Sequence, residues 1–231
     1  MRDVWHLRSV DWLKELSQDE IEKLRSSSAY REYNAGETVF APTNHPHSLY
    51  LLERGLIRIY RLSKEGSETS FGYVAPGEVF GEMAAFGDYP RQSFAEVVRA
   101  SRVWKIPTDV FRSLIRARPV IGLEITRQIG TRLKRIESRV ENLVFRDARS
   151  RVANILLELA GDFGSDSNGS VMIDVDFTQG ELATLVGSTR QTINSNLREF
   201  EREGWVGYKG RRLVLLRAEA LREIAGVPEP A

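Results

Sequence analysis

The sequence predicts an α+β protein with an N-terminal β-barrel, one long helix, and a C-terminal helix-turn-helix that a β-hairpin follows. Three observations predict this order. Short apolar runs separated by Gly, Pro and Asn fill residues 33–106, an apolar 4-3-4-3 repeat follows Pro119, and two helical segments precede two strand-like runs after residue 178. At 231 residues the chain is long enough for two modest domains. We expect a barrel domain at 1–118, the long helix and a hinge at 119–146, and the second domain at 147–231.

Composition excludes several classes of protein. The chain is 42% hydrophobic and 28% charged, which is typical of soluble globular proteins, and no apolar run approaches the roughly 20 residues of a membrane span. The N-terminal segment resembles no secretory signal, so we expect a cytoplasmic protein without a membrane partner. The absence of cysteine from the sequence excludes disulfides, a thiolate nucleophile and a cysteine-ligated iron–sulfur cluster.

Two short helices and a series of strands are expected in the first domain. Residues 10–24 predict the two helices, and the second begins with a capping box formed by Ser17 and Glu20. Many short strands with regular turns are typical of a β-sandwich or barrel. The predicted strands are 37–40, 48–52, 56–62, 70–74, 78–80, 94–98 and 103–106.

The long helix begins near Pro119, and its apolar stripe predicts a homodimer. Spacings of four, three, four and three residues are typical of the a/d seam of a two-stranded coiled coil. The alternative is that the stripe packs on the barrel of its own chain. The predicted seam consists of Ile129, Leu133, Ile136, Val140 and Leu143.

The second domain is expected to begin after a hinge at residues 145–147. A helix at 149–159 should end at Gly161, and a polar stretch at 164–169 should precede a strand at 171–177. The terminal residues 227–231 are expected to fray.

A winged helix-turn-helix is predicted for the rest of this domain. Thr178 and Glu181 form a second capping box, and helices at 179–186 and 189–203 flank a turn at Gly187. The last elements expected are strands at 205–208 and 213–216. Helix, turn, helix and hairpin in this order are a winged helix-turn-helix.

The start of the second helix of this motif has the residue types that read bases. Arg suits guanine O6 and N7, Gln suits the adenine edge, and basic residues on the wing suit phosphates. Such a helix enters the major groove of duplex DNA with its N-terminal residues nearest the bases. The candidate DNA-binding residues are Thr178, Ser188, Thr189, Arg190, Gln191, Thr192, Asn194, Ser195, Arg198, Lys209, Arg211 and Arg212.

An enzyme is the competing class, and the sequence disfavours it. No Ser-His-Asp order with a nucleophile elbow, no metal-spaced His pair and no phosphate-binding Gly loop is present. A ligand-binding or protein-interaction module without DNA binding is the other alternative, which Arg190, Gln191 and the basic wing disfavour.

Six segments spread over nearly the whole chain resemble the cyclic-AMP receptor protein and fumarate–nitrate regulator (CRP/FNR) family of bacterial transcription regulators. The segments are Gly36-Glu37, LYLLERG at 49–55, PGEVFGE at 76–82, Pro90-Arg91, NLVF at 142–145 and TQGELA at 178–183. The resemblance implies an eight-stranded jelly-roll sensor domain of the cyclic-nucleotide-binding type and a long dimerisation helix. It also implies a winged helix that binds a palindromic operator in double-stranded DNA, and a regulator that works with RNA polymerase, more often as an activator.

The same resemblance implies an effector pocket in the barrel. Glu82 matches the carboxylate that holds the ribose 2′-hydroxyl of a cyclic nucleotide, and Arg91 matches the guanidinium that holds the cyclic phosphate. The candidate pocket residues are Gly81, Glu82, Met83, Arg91, Gln92, Ser93, Ile136 and Glu137.

The pocket departs from the family pattern at two places. Gln92 stands where the family usually has a small residue, and Ile136 and Glu137 stand where a polar pair meets adenine across the dimer. An Ile side chain cannot hydrogen-bond the adenine amino group. A cyclic nucleotide is therefore one alternative, and a regulator controlled by its own abundance is another. A third alternative is that Glu82 and Arg91 form an ion pair in a barrel that binds no nucleotide.

Haem is not expected in the sensor. The histidines are His6, His45 and His47, and the last two lie in a predicted loop, where solvated histidines are the commoner case.

In an effector-dependent regulator, ligand in the barrel would alter how the long helices pack, and the hinge would change the spacing of the recognition helices. The familiar family half-site is read by Arg-Glu, so Gln191 predicts a changed preference at one base pair.

Overall fold

The structure is a computed structural model that describes residues 11–87, 90–167 and 169–226. It forms two compact units, Met1–Lys134 and Arg135–Ala231, and the boundary falls within the long helix. Residues 227–231, which are expected to fray, lie outside the described residues, and so does His6. No helix among the described residues is long and apolar enough to cross a bilayer.

The first unit begins with a 3-10 helix, Asp11–Glu15, and helix α1, Gln18–Ser26. The capping box at α1 is confirmed, because Ser17 Oγ accepts from the Glu20 amide at 3.3 Å and Glu20 accepts from the Ser17 amide at 2.8 Å. Its strands are β1 (Ala29–Tyr33), β2 (Thr38–Phe40), β3 (Ser48–Leu62), β4 (Glu68–Val74), β5 (Val79–Phe80) and β6 (Phe94–Pro107). Its helices are completed by α2 (Glu82–Gly87), α3 (Thr108–Ala117) and α4 (Pro119–Phe145), which runs into the second unit.

These strands form one sheet in the order β1-β6-β3-β4, with β2 paired to β6 and β5 paired to β3. The prediction of separate strands at 48–52 and 56–62, and at 94–98 and 103–106, is wrong. Each pair is one long strand that shifts register, so the chain bends without leaving the sheet. Gly55 permits the bend, because its φ is +106° and a Cβ there would lie 2.2 Å from Ser101 Oγ. The sheet of the described residues therefore has six strands, two of them long, where the resemblance implies eight.

Strand β1 was not predicted, because most of its side chains are exposed and leave no apolar alternation to read. The described residues of this unit form two apolar clusters. One fills the barrel interior around Leu52, Ile57 and Phe80. The other joins the N-terminal helices to α3 and α4 around Trp12 and Phe111.

The second unit continues from α4 into α5 (Ala148–Phe163), β7 (Gly164–Ser167), β8 (Ser170–Ile173), α6 (Gln179–Val186), α7 (Arg190–Arg202), β9 (Val206–Lys209), β10 (Arg212–Leu215) and α8 (Ala218–Ala225). The strands form a second sheet in the order β7-β8-β10-β9. Helix α8 was not predicted. The helix break at 145–147 is confirmed, and Asp147 caps α5 by accepting from the Ser150 amide at 2.8 Å.

Three predictions in this unit were wrong. Helix α5 does not end at Gly161 but continues to Phe163, since Gly161 is exposed and no neighbour forces a break there. The polar stretch after it forms β7, and the strand expected at 171–177 ends at Ile173, where the next amide turns to the Phe163 carbonyl.

Candidate functional site

The helix-turn-helix is fixed at each of its turns by a local interaction. Thr178 and Glu181 form the predicted capping box of α6, with Thr178 Oγ1 accepting from the Glu181 amide at 3.2 Å. Gly187 ends α6 in the left-handed conformation with φ +66°. Thr189 then caps α7 by accepting from the Thr192 amide at 3.1 Å. The turn is therefore determined by residues that the sequence already indicates.

Helix α7 buries one face and exposes the other. Ile193, Leu197 and Phe200 are buried in the unit, and they point away from the predicted reading face. On the reading face, Arg190, Gln191, Ser195 and Arg198 are exposed, while Ser188, Thr192 and Asn194 are half-buried. The structure thus brings the predicted base-reading residues together at the start of α7.

The residues at the start of α6 lie close to α7, and one hydrogen bond joins them. The Arg190 side chain passes over Gly180, where a Cβ would lie 3.8 Å from Arg190 Cδ. Gln179 Nε2 donates to Asn194 Oδ1 at 3.4 Å. Because Asn194 is tied to Gln179, its amide is more restricted than the exposed side chain of Gln191.

The wing carries fewer free cations than the sequence suggests. Lys209 and Arg211 are exposed on either side of Gly210, which has φ +65°. Arg212 instead forms an ion pair with Asp174 at 3.1 Å and lies 4.0 Å from Asp176. Part of its charge is neutralised within the domain, so Lys209 and Arg211 are the stronger candidates for phosphate contacts.

Arg149 supports α7 from behind, and sequence reasoning missed it. It pairs with Glu199 at 2.5 Å and Glu203 at 2.7 Å, and its guanidinium lies over the rings of Phe200 and Trp205. The hydrogen bond with Glu203 is the largest factor that raises the pKa of Arg149 above its usual value. Since the partners are about fifty residues distant in the chain, no local pattern signals the contact.

In the first unit, Arg91 is a buried cation that faces carbonyls and aromatic rings. Only 4% of it is exposed, and it donates to the carbonyls of Gly81 at 3.2 Å and Ser48 at 2.5 Å. Its guanidinium lies 4.2 Å from the ring centre of Phe40 and 5.4 Å from that of Tyr50. Burial lowers the pKa of Arg91, and its Nε has no hydrogen-bond partner among the described residues.

Glu82 is buried too, but its ion-pair partner is Arg132 on α4. Arg132 lies 3.5 Å from Glu82 and 3.3 Å from Glu78. Burial raises the pKa of Glu82 against the opposing effect of Arg132. Among the described residues, Glu82 and Arg91 form no ion pair with each other. The alternative of an ion pair between them is therefore wrong. Sequence reasoning missed Arg132, which looks like any solvated cation on the polar face of a helix.

The other pocket candidates have varied surroundings. Met83 and Gln92 are exposed, and Ser93 accepts a hydrogen bond from Arg61 Nε at 3.2 Å. Ile136 is half-buried and Glu137 is exposed, and both belong to the second unit. A Cβ on Gly81, at φ +73°, would lie 2.6 Å from Arg91 Nη1, so only glycine fits beside the buried guanidinium.

The predicted seam on α4 is divided by the structure. Leu133 and Val140 are 53% and 56% exposed, as an unpartnered seam requires. Ile129 packs on the core of its own first unit, and Ile136 is half-buried. Leu143 lies over the helix-turn-helix, with Cδ2 2.9 Å from the place of a Cβ on Gly187. The exposed apolar residues of α4 are Val120, Leu123, Leu133, Val140, Leu143, Val144 and Phe145.

Comparison with known families matches both units. Residues 30–118 match the cyclic nucleotide-binding domain, and residues 150–224 match the Crp-like helix-turn-helix domain. The CRP-like cAMP-activated global transcriptional regulator of Mycobacterium tuberculosis is 34% identical over 190 residues, which cover 82% of this chain and 85% of that protein. The cyclic AMP receptor protein of Thermus thermophilus is 28% identical over 210 residues, covering 91% of this chain and 94% of that protein.

Solved structures agree with these matches. A CRP/FNR family transcriptional regulator from Thermus thermophilus has a TM-score of 0.68 at 27% identity, covering 86% of this chain and 98% of that one. A CooA mutant from Carboxydothermus hydrogenoformans has a TM-score of 0.77 and covers 94% of both chains; at 21% identity, that likeness concerns the fold alone.

Proposed function

We propose, on the premise that this chain belongs to the CRP/FNR family of transcription regulators, that it works in the cytoplasm as a homodimer that binds a palindromic operator and activates transcription. The chain is a DNA-binding regulator with a Crp-like helix-turn-helix. The main support for operator binding is the start of α7. There Arg190 and Gln191 are exposed together on a capped helix whose other face is buried.

Arg190 and Gln191 are proposed to read the bases of each half-site. Arg190 can donate two parallel hydrogen bonds to guanine, and Gln191 can pair with the edge of adenine. Lys209 and Arg211 are proposed to contact phosphates, which fix the register of the protein without reading sequence. Two copies related by a twofold axis would then read inverted half-sites about one helical turn apart.

The test of this proposal begins with selection of a bound sequence from a random duplex library, followed by a mobility-shift titration. We expect Arg190→Ala to weaken binding to the selected operator by at least about 30-fold while non-specific binding persists. Arg116→Ala, which removes an exposed cation from the first unit, is the matched control. Recovery of a non-palindromic sequence, or unchanged affinity of Arg190→Ala, would contradict the proposal.

The effector is proposed to be a cyclic nucleotide held at Arg91 and Glu82. Support comes from the family match and from chemistry: a buried guanidinium with an unpartnered Nε suits a cyclic phosphate, and a buried carboxylate suits a ribose hydroxyl. When bound, the nucleotide would supply the negative charge that Arg91 lacks among the described residues. Ile136 stands where the family has a polar residue that meets adenine, and an isoleucine side chain cannot hydrogen-bond the adenine amino group, so we expect a base preference different from that of the cyclic AMP receptor proteins.

Calorimetric titration of the purified protein with cyclic AMP and cyclic GMP tests the effector proposal. Saturable heat that disappears in Arg91→Ala is the expected result. Absence of heat with both nucleotides would overturn it and favour control by the abundance of the protein. The effector-independent regulator is the second candidate because Glu82 is already paired with Arg132 and Arg91 already donates to two carbonyls.

Activation requires a contact with RNA polymerase, which we propose on the family resemblance. Transcription in vitro from a template with the operator upstream of a promoter should rise when the protein is added to purified polymerase. A fall in transcript would identify a repressor instead. No catalytic activity is proposed, since the family is one of transcription regulators.

A further inference from the structure

Two ion pairs join the C-terminal half of α4 to α5. Arg135 pairs with Asp162 at 2.6 Å. Arg139 pairs with Glu158 through both Nη2 and Nε, the latter at 3.4 Å from the carboxylate. We call these two pairs the α4–α5 latch.

The inner pair of the latch is the more buried one. The side chains of Arg139 and Glu158 are 12% and 16% exposed, whereas those of Arg135 and Asp162 are 31% and 23% exposed. Asn142, one turn after Arg139, is also buried. A half-buried bidentate pair is more sensitive to loss of one partner than an exposed pair, because the remaining charge stays desolvated.

Helix α5 is connected in turn to the recognition helix α7. Arg149, near the start of α5, pairs with Glu199 of α7 and with Glu203, which follows that helix, and its guanidinium lies over the ring of Phe200. Leu143 at the end of α4 also lies over Gly187 in the turn before α7. Direct contacts therefore run from α4 through α5 to α7, all within the second unit.

We infer that Arg139 and Glu158 are positioning residues that set which half-site spacing the dimer accepts. This inference rests on the proposed function, because it requires a dimer formed along α4 and two recognition helices. If α4 carries the dimer contact, then a rigid connection from α4 to α7 fixes the separation and rotation of the two copies of α7. The latch makes no contact with DNA in this scheme and acts only through the orientation of α7.

The experiment compares operators whose half-sites are at the selected spacing with operators shortened or lengthened by about two base pairs, a rotation of about 70° around the DNA axis. We expect the wild-type protein to bind the altered operators at least about tenfold more weakly. In Arg139→Gln and Glu158→Gln this discrimination should fall to about twofold or less. The charge-reversed pair Arg139→Glu with Glu158→Arg should restore it.

A structural defect would give a different result from a positioning defect. Affinity for a single half-site should be unchanged in both variants, because the reading face of α7 is untouched. Arg222→Gln, which breaks an ion pair inside α8 only, is the matched control and should keep the wild-type spacing preference. If the single variants lose half-site binding, the charge-reversed pair distinguishes the two explanations. Restored spacing discrimination indicates a positioning role, and a persistent loss indicates a structural defect.

Three outcomes overturn the inference, and they distinguish failure of the latch from failure of the proposed function. Unchanged spacing discrimination in both single variants, or failure of the charge-reversed pair to restore a lost discrimination, overturns the latch alone. Wild-type protein that binds no two-half-site operator overturns the proposed dimeric function and the latch with it.

Discussion

At the scale of single residues, Glu82 is the clearest source of a pH effect. Burial raises the pKa of its carboxyl above the usual 4.5, so the folded protein keeps this proton to a higher pH than the unfolded chain. Its contribution to the free energy of unfolding is therefore fully present below the unfolded pKa and is lost as pH rises through the folded value. Glu82→Gln, which resembles the protonated form, should flatten this dependence.

Thermal unfolding between about pH 4.5 and about pH 8 measures the effect of Glu82→Gln. Glu22→Gln removes an exposed carboxylate of α1 and serves as the control. Identical pH profiles for wild type and Glu82→Gln would show that the carboxyl does not titrate as its burial implies.

Gly187 gives a second prediction at this scale, because an alanine at this position would destabilise the fold in two separate ways. An alanine would take a left-handed conformation at φ +66°, and its Cβ would lie 2.9 Å from Leu143 Cδ2. Gly204, at φ +72° with no neighbour within 4 Å, shares only the first effect. We expect the strained backbone to lower the free energy of unfolding of both alanine variants by about 1–2 kcal/mol. Crowding against Leu143 should lower that of Gly187→Ala by about 1 kcal/mol more. Urea denaturation of the two variants measures the difference, and equal losses would mean that Leu143 moves aside freely.

At the scale of elements, α4 shows how one helix can serve two purposes. Its half-buried Ile129 packs on the first unit, while Leu133 and Val140 remain exposed on another side. Val144 follows Val140 by four residues on the same side of the helix, and Leu123, ten residues before Leu133, lies to one side of this stripe. The apolar stripe is thus wider than a coiled-coil seam, because part of it belongs to the fold of the single chain.

Dimerisation should therefore depend on the exposed part of the stripe. Leu133→Asp with Val140→Asp should convert a dimer into a monomer of 26.2 kDa, because each charge would be buried without a partner in the interface. Lys134→Asp, an exposed position beside the seam, is the control. Light scattering coupled to size exclusion measures the mass, and a dimer that survives the double change would place the interface elsewhere.

At the scale of the whole molecule, charge is concentrated although the net charge is only +1. Four cations near the reading face have no ion pair within the part of the chain that the structure describes: Arg190, Arg198, Lys209 and Arg211. A dimer would present eight such charges, which predicts a slope of about −7 in a plot of log binding constant against log salt.

Arg211→Gln should reduce that slope by about 2 for the dimer, while Arg212→Gln should change it less, because Arg212 is already paired with Asp174. Fluorescence anisotropy with a non-specific duplex at several salt concentrations measures both slopes. Equal changes for the two variants would mean that the Arg212 pair opens on binding.

The sequence by itself determined the order of barrel, long helix and helix-turn-helix, the two capping boxes, the turn at Gly187 and the capped start of α7 that carries Arg190 and Gln191. These features depend on neighbours in the chain, so composition and spacing are enough to identify them. The polar strand β1 and the continuity of β3 and β6 could not be predicted from the sequence, because strand pairing joins distant residues and a bulge leaves no local pattern.

Only the tertiary structure decided which charges are partners. Arg132 with Glu82, Arg149 with Glu199, Arg139 with Glu158 and Arg212 with Asp174 look the same in sequence as any solvated cation. Their roles differ because each guanidinium is brought by the fold to one carboxylate and partly removed from water, and the strength of an ion pair depends on that burial and geometry.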